Sequence, residues 1–356
     1  MRFVPAACLK SGMILGQDLY GSKNELLLSE GQVLTDSEVA RICGLKYQGA
    51  YIIDVYSQDI SSHGLISSNL KNNTVRAIKE VFNQVKSDDT TGPLPSISGI
   101  KFLINDIVDE ITTNQNASVN MLDLKVFDDY TYYHCVNVAA LSIVVGAASG
   151  LTKTDLYQLG LGSLLHDIGK VFVPKGLLEK KGKLTEDEFQ EIQKHSLYGS
   201  EYLRNKWEIP IESNLVVLSH HEKYDGTGYP YKLSKDKIST FGKIAAVADV
   251  YDALTSDRPY RKAMPPSEAM EYVMGGSGTL FDPRVVSMFT RKVAPYPIGT
   301  CVTLSNGLTG IVVENYVNCG MRPKVRIISD PHRNEIYDLY NDFSLLNVTI
   351  TAIAEI

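Results

Sequence analysis

Histidine and aspartate side chains concentrate in one part of this 356-residue chain. Five of its seven histidines lie between positions 134 and 221, with Asp167 directly after one of them and Asp249 further along the chain. Imidazole and carboxylate are the ligand groups that suit manganese, iron and zinc ions. Two such ions about 3.5–4 Å apart form a common arrangement for hydrolysing phosphate esters. The candidate ligands are His134, His166, Asp167, His195, His220, His221 and Asp249.

A structural explanation stays open for each histidine taken alone. His134 begins an apolar stripe at helical spacing that continues through Val138 and Leu141, so it could be an ordinary core residue. Two pairs of adjacent candidates, at 166–167 and 220–221, are more difficult to explain as chance. The set as a whole therefore favours a metal centre.

The segment after the second pair carries a distinctive turn sequence. Its glycines and proline end the helix expected around the two histidines. Residues 220–230 resemble, almost letter for letter, the signature of the HD-GYP family of cyclic di-GMP phosphodiesterases. Residues 166–167 match that family's HD pair and residues 228–230 its GYP triplet. The resemblance extends over roughly residues 125–290, through further motifs at 195–199, 248–255, 257–261 and 281–283.

The resemblance implies a cofactor of two divalent metal ions, iron or manganese, with zinc as an alternative. The first ion would be held by His134, His166, Asp167 and Asp249. The second would be held by His195, His220 and His221, with Asp167 bridging the two. A hydroxide between the ions is the expected nucleophile, because a bound metal lowers the pKa of water toward neutrality.

Substrate contacts are also implied by the resemblance. Asp167 and Lys170 are the expected catalytic residues, and Lys170 matches a family lysine that contacts a phosphate oxygen. Tyr229, Arg258 and Arg261 are the other candidate substrate-binding residues. A surface ion pair remains the alternative for the two arginines.

One position departs from the family pattern. Some members carry a glutamate four residues before the first ligand histidine and bind a third metal there. In this chain the position is Tyr130, a poor ligand, with Asp129 beside it. Two metals are therefore expected, and the extent of hydrolysis stays open. Asp252, one helical turn after Asp249, could orient a metal ligand.

The leading interpretation is a metal-dependent phosphodiesterase that opens cyclic di-GMP to linear pGpG, with further hydrolysis to GMP left open. A second interpretation is hydrolysis of another cyclic dinucleotide, such as hybrid cyclic GMP-AMP. A third is a non-catalytic module that senses cyclic di-GMP. Sensing modules usually lose metal ligands, and here all seven candidates are present.

Composition bounds the class of protein. Hydrophobic residues make up 44% and charged residues 21%, which is typical of a folded chain of two or three domains. No apolar run approaches the roughly 20 residues of a membrane span, and the first residues lack a secretory apolar stretch. The five cysteines are scattered singly, which argues against disulfides. We therefore predict a cytoplasmic protein, and the net charge of −6 argues against a nucleic-acid polymer as partner.

The predicted fold is multi-domain. An all-α HD-type helical bundle forms the catalytic core, with a small α+β N-terminal domain and a small β-rich C-terminal domain. The expected divisions are residues 1–57, a linker and helical segment 58–113, the catalytic helices 114–291, and the β-rich part 292–356. Isoleucines at helical spacing in 97–113 fit either a core helix or a homodimer helix. The terminal domains are candidates for binding regulatory partners.

Local patterns predict the individual elements. Helices are expected near 71–86, 97–113, 126–149, 154–167, 185–205, 211–221, 241–255, 266–274 and 282–291. Thr35 with Glu38, and Thr185 with Glu188, form capping boxes. Residues 175–183 are expected to be a basic loop.

Strands are expected at both ends of the chain. The predicted strands lie at 13–15, 26–28, 51–53, 302–304, 309–313, 324–328 and 336–339. Asn306 and Gly307 form a strong hairpin-turn signal between two of them. A small barrel-like tail is the fold expected for the C-terminal part.

Overall fold

A computed structural model describes residues 1–21, 25–45, 47, 49–60, 64–87, 97–113, 130–180, 182–207, 209–256, 263–317 and 319–354. Two of the predicted substrate-binding residues, Arg258 and Arg261, lie outside these ranges. Asp129 and the beginning of the helix predicted from residue 126 also lie outside them.

The N-terminal part is a small α+β module. Its elements are β1 (Arg2–Pro5), β2 (Ile14–Leu15), β3 (Leu19–Tyr20), β4 (Leu26–Leu28), α1 (Asp36–Gly44) and β5 (Gly49–Ile53). Strand β5 lies between β1 and β2 in an antiparallel sheet, and β3 pairs with β4. The predicted capping box opens α1, since Thr35 and Glu38 each accept a hydrogen bond from the other's backbone amide. Strands β1 and β3 were not predicted.

The middle of the chain is helical. Its helices are α2 (Ser68–Ser87), α3 (Ile97–Thr113), α4 (Tyr130–Ala148), α5 (Lys153–Leu165), α6 (Lys175–Leu178), α7 (Glu186–Gln193), α8 (His195–Lys206), α9 (Ile211–Ser219), α10 (Thr240–Leu254), α11 (Pro266–Gly275) and α12 (Pro283–Lys292). A 3₁₀ helix, Ile168–Phe172, follows α5.

Helix α4 is the centre of this bundle. It is apolar around its whole circumference, so it can be stable only when covered on all sides. Helices α2, α3, α5, α10 and α12 pack around it. By length and composition α4 would also meet the criteria for a membrane span, but 78% of its apolar stretch is buried within the fold. It is therefore the core helix of the bundle.

Helix α3 resolves the alternatives left open for its isoleucine repeat. Ile100, Ile104, Ile107 and Ile111 are all buried, against α2, α4 and α5. This confirms the interpretation of α3 as a core helix of this chain.

Three helices end or break earlier than predicted, each at a histidine. The helix predicted over 185–205 is two helices, α7 and α8, while α5 ends at Leu165 and α9 at Ser219. In each case a histidine ring contacts a backbone carbonyl three residues earlier, at 2.7–2.9 Å. In a continuous helix that carbonyl would accept the next residue's amide. The ring therefore competes with the helical hydrogen bonds at these points.

Two smaller predictions in this region have different outcomes. The capping box of Thr185 and Glu188 is confirmed at the start of α7. The expected loop over 175–183 is only partly a loop, because it opens with the short helix α6.

The C-terminal part is a five-stranded antiparallel sheet. Its strands are β6 (Cys301–Leu304), β7 (Thr309–Glu314), β8 (Lys324–Ile327), β9 (Ile336–Asp338) and β10 (Ile350–Ile353), in the spatial order β10-β6-β7-β8-β9. The predicted hairpin joins β6 to β7, with Gly307 at a φ of 83° that favours glycine. Strand β10 was not predicted, and it pairs with β6.

The two ends of the chain pack against each other. Ile60, Cys301 and Ile311 form a small buried cluster between the N-terminal module and the C-terminal sheet. The Phe3 amide donates to the Gly299 carbonyl at 3.0 Å. We call this combination of residues 1–60 and 298–354 the terminal β unit.

Candidate metal centre

Helix ends and helix interiors together position the seven predicted ligands. His134 and Asp249 project from within α4 and α10. The other five lie where helices end or begin, and they are His166, Asp167, His195, His220 and His221. Six of the seven residues are buried, and the exception, His221, is partly buried. The structure thus brings together residues separated by more than 100 positions in the chain.

Asp167 lies between two groups of histidines. Its Oδ2 atom is 3.4 Å from His166 Nε2 and 3.9 Å from His134 Nε2. Its Oδ1 atom is 3.5 Å from His195 Nε2. The two oxygens of one carboxylate therefore face two different clusters of imidazole nitrogens, as a bridging ligand requires.

The ligand atoms form two compact groups that share this carboxylate. Within each group they lie within 4.8 Å of one another. The groups are Asp167 with His195, His220 and His221, and Asp167 with His134 and His166. Asp249 adjoins the second group, because its Oδ1 atom is 3.1 Å from His134 Nε2 and 3.9 Å from His166 Nε2.

Backbone carbonyls set the tautomers of three histidines. The Nδ1 atoms of His166, His195 and His220 each lie 2.7–2.9 Å from the backbone carbonyl oxygen of the residue three positions earlier. A carbonyl can only accept, so each Nδ1 carries a hydrogen and each Nε2 of the neutral ring presents a lone pair. This is the usual support of a metal-binding imidazole.

His134 is oriented by a different partner. Its Nδ1 atom is 2.8 Å from Asp252 Oδ2, in agreement with the orienting role predicted for Asp252. The other carboxylate oxygen accepts a hydrogen bond from Asn137 Nδ2 at 2.8 Å. Asn137 was missed by the sequence analysis, although its position one turn after His134 on the same helix was a usable signal.

The arrangement fits divalent metal ions. His166 Nε2 and Asp167 Oδ1 are buried without a hydrogen-bond partner among the described residues. His195 Nε2 and His220 Nε2 lie only 3.3 Å apart, so their lone pairs face each other. Buried acceptors of this kind are costly unless a proton or a cation satisfies them. A metal ion is the cation that imidazole and carboxylate groups would bind here.

Burial controls the charge of three histidines. Desolvation lowers the pKa of His195 to about 4 and that of His221 to about 3. It also holds the pKa of His220 well below its usual value. All three rings are therefore neutral near pH 7, the form that binds metals.

The pKa values of the two aspartates shift downward, which favours the ionised carboxylates that a cation site requires. Burial alone would raise the pKa of Asp167 and Asp249. Lys170 and neighbouring histidines outweigh burial at Asp167, and histidines alone do so at Asp249, so both pKa values are held well below the usual range. Burial would likewise lower the pKa of His134, but its hydrogen bonds with Asp249 and Asp252 raise it to about 9. Near pH 7 the site without metal thus combines ionised carboxylates, neutral imidazoles and a protonated His134, which must release its proton to bind a metal.

Lys170 lies at the edge of the centre. Its ammonium group is 2.6 Å from Asp167 Oδ2, and its side chain remains 33% exposed. The Lys170 ammonium group therefore lies beside the shared carboxylate, where an anion approaching from solvent would meet it.

Tyr229 lies against two histidines of the centre. Its ring lies 4.6 Å from the His221 ring and 6.3 Å from the His195 ring. The preceding residue must be glycine, because a β-carbon on Gly228 would lie 2.3 Å from the Lys223 amide nitrogen. The turn that follows the histidine pair thus brings Tyr229 onto the imidazoles.

Glu222 is a second residue that the sequence analysis missed. Its carboxylate is buried and accepts backbone hydrogen bonds from the turn that carries Tyr229. Its position directly after the histidine pair was the available signal, but a glutamate there could equally have been exposed.

The helical bundle and this cluster define an HD domain. Residues 106–285, half of the chain, match the family model described as HD domain, and the chain belongs to that family. Residues 301–354 match the model of a KOW domain associated with the HD domain. HD domain proteins are metal-dependent, and the buried histidine and aspartate groups of this chain could hold metal.

Named relatives agree with the resemblance to HD-GYP proteins. The cyclic di-GMP phosphodiesterase PA4108 of Pseudomonas aeruginosa is 40% identical over 227 residues, which cover 63% of this chain and 55% of that protein. The response regulator RpfG of Xanthomonas campestris, a cyclic di-GMP phosphodiesterase, is 40% identical over 149 residues, which cover 42% of this chain and 39% of that protein. The 3'3'-cGAMP-specific phosphodiesterase 2 of Vibrio cholerae is 34% identical over 187 residues, which cover 52% of this chain and 36% of that protein. The chain therefore spans about half or less of the length of these relatives.

A solved structure shares the fold. Bd1817, an HDG"Y"P protein from Bdellovibrio bacteriovorus, aligns with a TM-score of 0.50 and 17% identity. The alignment covers 81% of this chain and 97% of that one. At this identity the likeness shows the shared fold and nothing further about activity.

Proposed function

We propose that this protein is a metal-dependent phosphodiesterase that hydrolyses cyclic di-GMP to linear pGpG. The observation that carries the proposal is the position of Asp167, whose two oxygens face two separate groups of histidines. Relatives at 40% identity that are named cyclic di-GMP phosphodiesterases support the choice of substrate.

The proposed cofactor is a pair of divalent ions, iron or manganese, with zinc as an alternative. One ion is assigned to His134, His166, Asp167 and Asp249, and the other to Asp167, His195, His220 and His221. Bound there, the ions would supply the Lewis acidity and positive charge that phosphodiester hydrolysis requires. Because three of the imidazoles are neutral near pH 7, they are available as ligands without a change of protonation.

Four residues that are not metal ligands are assigned to substrate binding. Lys170 supplies an ammonium group beside Asp167, where it would attract a phosphate oxygen. Tyr229 lies against His221, and its ring would limit the space open to a nucleotide. Arg258 and Arg261 are retained as phosphate-binding candidates on the sequence resemblance alone.

Hydrolysis of a hybrid cyclic GMP-AMP is the second candidate function. Two relatives from Vibrio cholerae are named 3'3'-cGAMP-specific phosphodiesterases, at 34% and 36% identity. A non-catalytic sensing module is a weaker candidate, because the chain retains all seven candidate ligands. Further hydrolysis to GMP, a cytoplasmic location, a homodimer and regulatory partners of the terminal β unit remain proposals of the same kind.

The test is a substrate panel on the full chain. The protein would be loaded anaerobically with Fe²⁺ or Mn²⁺, its metal content measured, and its activity assayed on cyclic di-GMP, hybrid cyclic GMP-AMP and cyclic di-AMP. Chromatography is expected to identify pGpG from cyclic di-GMP as the main product. Binding of cyclic di-GMP to metal-loaded protein without turnover would instead support the sensing module.

A further inference from the structure

Glu222 is a buried carboxylate directly after the adjacent histidines at 220 and 221. Only 3% of its surface is exposed. Its Oε1 atom accepts a hydrogen bond from the Tyr231 amide at 2.8 Å, and its Oε2 atom accepts one from the Leu233 amide at 2.9 Å. Each oxygen therefore has its own backbone donor, and both bonds are charge-assisted.

These two bonds close the loop that begins after His221. The Tyr229 amide donates to the His221 carbonyl at 3.2 Å, so the loop folds back onto the backbone of the histidine pair. A β-carbon on Gly228 would lie 2.5 Å from the same carbonyl, so the backbone at Gly228 approaches the backbone at His221 closely. Glu222 holds the far side of this closed loop.

The backbone between the two donors is in an unfavourable conformation. Lys232 lies between them with a φ of 54°, in the left-handed region that non-glycine residues rarely adopt. Such a residue persists where its surroundings hold it in place. The two hydrogen bonds to Glu222 flank Lys232 and supply that restraint.

The restrained loop controls side chains at the metal centre. The Tyr229 ring packs against the His221 ring at a centroid distance of 4.6 Å, with the two planes tilted by 32°. His221 in turn has its Nδ1 atom 3.8 Å from Asp249 Oδ2. A loop that moved would shift Tyr229 and remove the surface against which the His221 ring packs.

We propose that Glu222 is a positioning residue that clamps the loop 223–233 and thereby fixes His221 and Tyr229 at the metal centre. Its effect on turnover rests on the proposed phosphodiesterase function. Its effects on loop exchange and on metal binding do not.

Three variants of the full chain separate this role from a general structural one. Glu222→Gln retains the size of the side chain but replaces one acceptor oxygen with an amino group that faces a backbone amide. Glu222→Asp keeps both oxygens on a shorter side chain. Glu201→Gln, on the exposed surface of α8, is the matched control.

Hydrogen–deuterium exchange, measured without added metal, tests the clamp. In Glu222→Gln we expect the amides of Tyr229 and of residues 231–233 to exchange about tenfold faster or more. We expect an intermediate increase in Glu222→Asp and none in Glu201→Gln. Unchanged exchange in folded Glu222→Gln would overturn the proposal, and if that variant does not fold, the same result in Glu222→Asp would do so.

Titration with Mn²⁺ alone and steady-state kinetics test the positioning. We expect Glu222→Gln to bind Mn²⁺ about tenfold more weakly or worse and to lose kcat more than it raises KM. Faster loop exchange with unchanged Mn²⁺ affinity and kcat would show that Glu222 only caps the loop, and would overturn its role at the centre. If the wild-type chain hydrolyses no cyclic dinucleotide, the proposed function fails, while exchange and Mn²⁺ affinity still decide the role of Glu222.

Discussion

Asp167 is the residue at which the two groups of histidines meet. It is 1% exposed, yet ionised, because Lys170 and the surrounding histidines hold its pKa far below the usual range. A buried charge of this kind is stable only with partners on several sides. Here each carboxylate oxygen faces a different set of nitrogens, so removal of the side chain affects both sets at once.

Replacement of this carboxylate should therefore abolish metal binding and hydrolysis together. We expect Asp167→Ala to lower the rate of hydrolysis by at least about a hundredfold. Even mutation of residues that only hydrogen-bond to metal ligands lowers metal affinity or activity about 10–100-fold. His166→Ala should behave in the same way. Lys170→Ala is the comparison, expected to retain its metal and to raise KM. Elemental analysis and initial rates would measure both effects, and a metal-loaded Asp167→Ala protein with near wild-type turnover would disprove the bridging role.

Tyr130 bears on the number of ions. It is the first residue of α4, and its ring stacks on the His134 ring at 5.7 Å with an interplanar angle of 20°. We expect two tightly held ions per wild-type chain, because a tyrosine at this position offers no carboxylate for a third. Tyr130→Glu should add a third ion, and Tyr130→Phe should not. Metal stoichiometry of the three proteins is the measurement, and three ions in the wild-type chain would contradict the prediction.

The seven candidate ligands that the structure brings together could be selected from the sequence, but not all of their hydrogen-bond partners. The adjacent pairs at 166–167 and 220–221, and the turn after the second pair, are local patterns that can be recognised in the sequence alone. The hydrogen bond between His134 and Asp252 joins residues 118 positions apart, and only spacing relative to Asp249 pointed to it. For Glu222 the position after the histidine pair was not sufficient, because burial of a glutamate depends on the packing of a loop that residue type alone does not reveal.

At the scale of elements, the centre is built where helices end. His166 and His220 directly follow α5 and α9, and His195 begins α8 directly after α7. Each ring contacts the backbone carbonyl three residues earlier, which lies in α5, α9 and α7 respectively. Apolar periodicity predicted these helices but extended two of them too far and merged α7 with α8. The side-chain bond that ends each helix depends on ring orientation, which tertiary packing sets and propensity does not.

The 3₁₀ helix after α5 is positioned by close contact with α8. A β-carbon added to Gly169 would lie 1.8 Å from the His195 carbonyl oxygen and 2.5 Å from the Gly199 amide nitrogen. Both atoms are backbone, so neither can move without moving the helix. Glycine at this position is therefore needed to place Asp167 and Lys170 beside His195.

A single methyl group at this contact should disturb the centre. We expect Gly169→Ala to destabilise the fold by about 1–3 kcal/mol and to weaken Mn²⁺ binding, because the two backbones must separate. Gly176→Ala is the control, since a β-carbon there meets nothing within 4 Å among the described atoms. Thermal unfolding with and without Mn²⁺ measures both effects. Equal behaviour of the two variants would show that the contact can relax.

At the scale of the whole molecule, the two ends of the chain form one unit. Besides the apolar cluster, Arg326 makes two hydrogen bonds of 2.7 Å to Asp59, and Arg2 contacts both Asp54 and Cys301. The sequence predicted β structure at both ends. It could not predict their association, because nothing in either segment alone indicates which surface covers the other.

The apolar cluster should carry much of the stability of this unit. Ile311 is fully buried on β7, so we expect Ile311→Ala to cost about 2–5 kcal/mol through lost contacts and a residual cavity. Ile336→Ala on β9 is the matched control, since Ile336 is 47% exposed. Chemical denaturation of the full chain measures the difference. A loss in Ile311→Ala no greater than in Ile336→Ala would show that the two ends are held by other contacts.

The contact between Phe3 and Gly299 also fixes an order of events on the ribosome. The N-terminal strands emerge first, but the surface they pack against does not exist until about 300 residues have been synthesised. Before that point, Ile60 lacks the C-terminal residues Cys301 and Ile311 that bury it in the complete fold. The helical core, whose contacts lie closer together in the chain, can form during that wait. The terminal β unit is thus completed after the helical core, although its N-terminal strands are synthesised before that core.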